Sequence, residues 1–194
     1  MKTSSSGKEK TARGKQRQVA LLRGINVGRA KRVAMADLRA LVEKLGYRDV
    51  SSLLNSGNLA FTAFGEKPEQ SAVRIEEAIE AKLGISSRVI VLSSDELAKI
   101  IAENPLPQGA GDPSRLLVAV LNDPADRKEL SPLRKKDWEP EELAIGKRAA
   151  YLWCPEGILK SQLVKEVGRA LGTEVTTRNV ATMLKLKALA ESYS

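Results

Sequence analysis

The sequence predicts an α+β protein of two consecutive β-α-β-β-α-β units, each followed by one further helix, behind a disordered basic N-terminal tail. Three observations predict it. Short apolar runs of strand length (QVALL, RVIVL, RLLVAVL) alternate with longer segments whose apolar residues recur at helical spacing. Glycine, alone or as Ser-Gly, falls where these segments end. The order of elements read over residues 17–104 returns over residues 115–194, with the Pro- and Gly-rich stretch 105–114 between them as a linker. The repeat is one of element order, not of residues. With 194 residues, 42% of them hydrophobic, the chain can bury a core.

Residues 1–16 form the predicted tail. They contain Ser4-Ser5-Ser6-Gly7 and a single apolar residue after the start, Ala12. Residues 1–17 carry +5 of the net charge of +8, which leaves +3 for the other 177. Such a segment is expected to stay solvated and to add weak, salt-sensitive, non-specific affinity for nucleic acid. It lacks the apolar stretch of a secretory signal.

Gln18–Leu22 reads as a buried strand, and a glycine-bearing loop follows it. A helix begins near Val33, with Met35, Leu38, Leu41, Val42 and Leu45 on one face and Gly46 as its stop. Asp49–Asn55 and Asn58–Ala63 read as a hairpin around Ser56-Gly57. Pro68 opens a second helix with Ala72, Ile75, Ile79 and Leu83 inward, ended by Gly84. Arg88–Leu92 is the fourth strand. Ser93 and Glu96 form a capping box for a third helix, with Leu97, Ile100 and Ile101 inward, and Pro105 closes it. In the second unit, Arg115–Leu121 is a strand and Asp123–Trp138 a charged helix broken at Pro132. Leu143–Ile145 pairs with Arg148–Trp153. A helix over Ile158–Leu171 turns Leu159, Leu163, Val167 and Leu171 inward, and Gly172 stops it. Glu174–Thr176 is a short strand, and a last helix begins near Thr177 with Val180, Met183 and Leu184 inward.

The β-α-β-β-α-β order is that of the ferredoxin-like split unit. Its chain direction carries one inference. The loop leaving strand one and the turn between strands two and three emerge at the same end. Arg23, Gly24, Asn26 and Gly28 are therefore expected beside Asn55, Ser56, Gly57 and Asn58. Glycines let backbone N–H groups approach a ligand, a helix N-terminus adds positive potential, and Arg23 adds a full charge. This chemistry suits a small anionic, nucleotide or phosphate-bearing ligand. The spacing matches neither the P-loop nor the dinucleotide fingerprint.

Composition excludes other chemistries. The chain has no histidine and a single cysteine, so it has no Ser-His or Cys-His pair and no disulfide framework. Cys154 reads as a small core-edge residue. Phe61 and Phe64 fall on opposite faces of their strand, which does not suit base stacking. Arg134-Lys135-Lys136 reads as a solvated run. No acidic spacing matches a calcium loop, and no metal or cofactor is expected. No apolar run reaches the ~18–20 residues of a membrane span. The alternatives to a binding module are a histidine-independent enzyme using Asp37, a tyrosine or a lysine at the same loops, and nucleic-acid association through the basic tail. Oligomeric state is not legible.

The runs Ala20-Leu21-Leu22-Arg23-Gly24-Ile25-Asn26-Val27-Gly28, Met35-Ala36-Asp37-Leu38-Arg39, Ser56-Gly57-Asn58 and Thr177-Arg178-Asn179 resemble, in order and spacing, the bacterial family called domain of unknown function 1697. The resemblance runs from about Val19 to the C-terminus. It implies a cytoplasmic bacterial protein with ferredoxin-like units and carries no reaction with it. It marks Arg23, Gly24, Asn26, Gly28, Ser56, Gly57 and Asn58, and adds Thr177, Arg178 and Asn179 to the candidate ligand-binding set. Arg178 joins the first-unit loops if the two units fold together. Three positions depart from the family's pattern: Arg29 replaces a glycine, Asn55 a glutamine, and Val180 an aromatic residue.

Overall fold

Strands β1 (Lys15–Leu22), β2 (Arg48–Leu53), β3 (Asn58–Phe64) and β4 (Val89–Ser93) form one antiparallel sheet in the order β2-β3-β1-β4. Strands β5 (Leu116–Leu121), β6 (Glu142–Ile145), β7 (Ala149–Trp153) and β8 (Val175–Asn179) form a second, ordered β6-β7-β5-β8. Among the described residues, five α-helices complete this mixed α+β architecture: α1 (Met35–Lys44), α2 (Pro68–Leu83), α3 (Ser94–Ala102), α4 (Gln162–Leu171) and α5 (Val180–Glu191). The structure is a computed structural model that describes residues 14–26 and 32–192.

The unbroken apolar runs have a direct cause: both faces of the central strands are covered. Val19, Leu21 and Leu92 of the first sheet share one core with Val118, Val120 and Tyr151 of the second. Leu97 and Ile100 of α3, and Met183, Leu186 and Ala190 of α5, fill the space between the sheets. Leu106, from the connection 105–114, joins them. The opposite face of the first sheet packs Leu22, Leu59 and Phe61 under α1 and α2. That of the second packs Leu117, Ala119 and Leu152 under α4. Each fully buried Leu or Val side chain contributes about 1.5–3 kcal/mol, so the shared layer binds the two sheets together. Inside it the Tyr151 hydroxyl donates to the Ile100 carbonyl at 2.6 Å.

Four expectations are corrected. β1 starts at Lys15, because its pairing with β3 runs out to Lys15 opposite Phe64. Arg17, grouped with the tail by charge, is buried in this strand. Its Nε donates to the Ala190 carbonyl at 3.3 Å, near the end of α5, and its Nη1 to the Asp49 carbonyl at 3.0 Å. The rest of the predicted tail, residues 1–13, lies outside the described residues.

Second, β5 and β6 are joined by 3-10 turns over Pro124–Leu130 and Leu133–Lys135, not by a helix over Asp123–Trp138. Pro124 and Pro132 lack N–H groups, and Asp123 caps the first turn by accepting from the Ala125 N–H at 2.8 Å. The second unit therefore lacks the first crossover helix of the predicted repeat.

Third, α4 begins at Gln162, with Ser161 Oγ accepting from the Val164 N–H at 2.9 Å. Ile158–Lys160 stays outside the helix, and Leu159, expected inward, is 95% exposed. Fourth, β8 runs on through Arg178 opposite Val118, so the last helix starts at Val180 with Asn179 as its cap. Met183 is buried as expected, whereas Leu184 is exposed.

Candidate functional site

The loop after β1 and the β2–β3 turn do meet. The Leu22 N–H donates to the Gly57 carbonyl at 2.8 Å. Gly57 sits at φ +73°, and a Cβ there would lie 2.8 Å from the Leu22 Cβ and 3.2 Å from the Ile25 Cβ. Its role is the close approach of the two loops.

Most of the polar groups at this junction hold the loops to each other. Asn26, itself left-handed at φ 57°, donates to the Val33 carbonyl at 2.9 Å and the Asn55 carbonyl at 2.7 Å, and its Oδ1 accepts from the Val33 N–H at 2.8 Å. Asn58 is fully buried and donates to the Leu53 carbonyl at 3.0 Å and Ser56 Oγ at 2.9 Å. Both side chains, candidates for ligand binding from the sequence, are engaged within the fold. Asn55 is exposed, and Gly28 lies outside the described residues.

Arg178 crosses from the second sheet to this junction. Its Nε donates to Asn58 Oδ1. One terminal nitrogen donates to Thr176 Oγ1 at 3.0 Å and the Thr177 carbonyl at 2.8 Å. The other donates to the carbonyls of Leu22 at 2.8 Å, Ser56 at 3.1 Å and Gly57 at 3.4 Å. A guanidinium has five N–H donors, so this one is fully engaged, and every partner is neutral. With no carboxylate beside it, burial pushes its pKa down to about 10. Arg23 is half-buried and donates from one terminal nitrogen to the Val175 carbonyl.

A cavity of about 450 Å³ opens where these elements converge. Arg23, Gly24 and Ser56 line it from the first sheet's loops; Thr176, Thr177 and Arg178 line it from β8. Asn179 and Thr182 bring the N-terminal turn of α5, and Leu22, Ile25, Leu117 and Ile158 supply apolar wall. Among the described residues, no acidic side chain and no lysine lines it. On the other side of Arg23-Gly24 lies a second cavity of about 450 Å³, lined by Glu76, Glu80, Ser86, Ser87, Arg88 and Thr173. Glu76 accepts from the Val89 N–H at 2.6 Å, and Arg88 pairs with Glu174 at 2.6 Å.

Asp37, the acid–base candidate, is exposed and lines neither cavity. Cys154 is buried, and that burial pushes its thiol up, away from the reactive thiolate. Among the described residues, no group of three or more His, Cys, Asp or Glu side chains can hold a metal, and no helix is long and apolar enough to cross a membrane. Thr176, Thr182 and Ile158 were not marked by the sequence. Thr176 carried a signal, as neighbour of Thr177 in a strand; Ile158 carried none.

A family model described as "Protein of unknown function (DUF1697)" matches residues 16–151, so β8 and Thr177–Asn179 lie beyond the matched segment. The fold is similar to that of a conserved bacterial protein, SP0830, from Streptococcus pneumoniae, with a TM-score of 0.76 at 24% identity over 91% of this chain and 99% of that one. Comparison with curated proteins gives no match.

Proposed function

We propose, from the premise that this chain belongs to the DUF1697 family of proteins of unknown function, that it is a binding module for a small anionic, nucleotide or phosphate-bearing ligand. The site is the cavity between Arg23-Gly24, Ser56 and Thr177–Asn179. One observation carries the reading: among the described residues the cavity is bordered by two arginines and no carboxylate, and one of those cations has only neutral partners. A desolvated cation without a counter-charge favours an anion close by. The N-terminal turn of α5 adds potential of the same sign. Arg23, whose side chain donates to the Val175 carbonyl, pairs with the anion. Ser56 and Thr177 hydroxyls orient it, and Arg178 supplies charge from behind while it holds the two sheets together.

The same reading takes residues 17–104 as a ferredoxin-like unit and residues 115–194 as a related one. The matching strand orders β2-β3-β1-β4 and β6-β7-β5-β8 support it. The test is a thermal-shift panel of nucleotides and phosphorylated metabolites on wild type and Arg23→Ala. A ligand at a hundredfold its Kd stabilises the folded state by about 2.7 kcal/mol. At least one compound should raise the wild-type Tm and leave Arg23→Ala unmoved. A flat panel, with the two proteins indistinguishable, rejects the site.

A further inference from the structure

We infer, resting on the anion reading above, that the ligand is an organic molecule with a single anionic head and an apolar body, not an inorganic anion or a polyphosphate. The donors set the head. All the N–H groups of Arg178 are committed to the fold, and the side chains of Asn26 and Asn58 are too. The lining donors besides Arg178 include the Arg23 guanidinium, the Asn179 amide and the hydroxyls of Ser56, Thr177 and Thr182, a single further cation among neutral groups, which suits one phosphate or carboxylate. Among the described residues no lysine lines the cavity to carry a second phosphate.

The rest of the cavity sets the body. Its volume of about 450 Å³ far exceeds one phosphate and lies in the range of about 300–1,000 Å³ typical of pockets for organic ligands. Leu22, Ile25, Leu117 and Ile158 present no polar side chain to what fills it. Beside Ile158, at the turn before α4, Leu159 is 95% exposed, far more than any other large apolar residue described. Ile158, half-buried at the margin of the cationic cleft, fits an apolar group packed against that wall, whereas Leu159 is outside the lining.

The experiment is calorimetric titration of the full chain at fixed ionic strength with inorganic phosphate, pyrophosphate, phenyl phosphate and adenosine monophosphate. Phenyl phosphate or the nucleotide should bind about tenfold or more tighter than inorganic phosphate, since burying a few carbon atoms is worth that much. Pyrophosphate should gain nothing. The tighter of the two body-bearing probes tells a hydrocarbon body from a nucleobase. Ile158→Ser should bring the body-bearing probes down to the level of inorganic phosphate without weakening phosphate itself. Leu159→Ser, next in sequence but outside the lining, should leave all four affinities unchanged, which separates the cavity wall from the exposed turn beside it. If inorganic phosphate binds as tightly as the others, or pyrophosphate binds tightest, this inference is overturned and the anion site stands. If none of the four binds wild type, both readings fall.

Discussion

The two cavities on either side of Arg23-Gly24 are equal in size and opposite in chemistry. Among the described residues, one has arginine, hydroxyls and a helix N-terminus with no acid; the other has Glu76 and Glu80 beside Arg88. In the second, charge is largely settled inside the protein: Arg88 lies 3.5 Å from Glu76 and 2.6 Å from Glu174. In the first, Arg178 has only carbonyl, amide and hydroxyl oxygens around it. Equal volumes thus say little about ligands, whereas an unbalanced charge does, because only the unbalanced cavity gains a counter-ion by binding.

The largest effect expected is that of Arg178→Ala. It strips donors from four carbonyls, three of them in the first sheet and its β2–β3 turn, and from the buried Asn58 Oδ1, and should cost about 3 kcal/mol or more in denaturant unfolding. Arg178→Lys should recover little, since an ammonium has no planar fork to span those acceptors. A loss below about 1 kcal/mol would mean that Arg178 does not hold the sheets together and is free to meet a ligand.

Gly57 and Gly24 sharpen the contrast between joining and lining. Both have positive φ, +73° and +68°, but only at Gly57 would a Cβ collide with neighbouring atoms. Gly57→Ala should cost about 2 kcal/mol in thermal unfolding and Gly24→Ala about 1 kcal/mol. Equal losses would show that backbone conformation alone, not the approach of the loops, demands glycine here.

Arg23 borders both cavities and Glu80 only the second, so Arg23→Ala and Glu80→Gln taken together separate them. Anion affinity should fall about tenfold, or about 1.4 kcal/mol, in the first and stay within about twofold in the second, as titration of both variants would show. A larger change in Glu80→Gln moves the site across the Arg23-Gly24 turn.

The smallest effect concerns Glu174, whose carboxyl is held below its ordinary pKa of 4.5 by the Arg88 guanidinium, with help from Asn122 and Thr173. Its contribution to stability is present above the unfolded pKa near 4.5 and is lost as pH falls through the lower folded value. The pair is about one-third exposed, so Glu174→Gln should cost under about 1 kcal/mol at pH 7. That difference should vanish in unfolding measured well below pH 4.5. A difference that persists in acid assigns Glu174 a role outside the ion pair.

Much of this was legible. The apolar runs marked the central strands, the glycines marked the stops of α2 and α4, and chain direction alone put Arg23 beside Ser56. What failed did so for identifiable reasons. Arg17 looked like part of a basic tail because charge counts ignore pairing, yet strand register draws it inward to the Ala190 carbonyl. Leu159 fitted a helical stripe that Ser161, as a cap, begins three residues too late to include. Asn26 and Asn58 carried the right atoms for a ligand, but short amides next to free carbonyls bond to the backbone first.

The sequence by itself determined the elements, the order of the first unit and the meeting of its two loops, because hydrophobic period and chain direction are local properties. Only the tertiary structure decided that the sheets share one core, that Arg178 crosses from one to the other, and which cavity is left without an acid. Those depend on contacts between residues as far apart as Leu22 and Arg178, where no local pattern specifies which donor meets which acceptor or how much water is excluded.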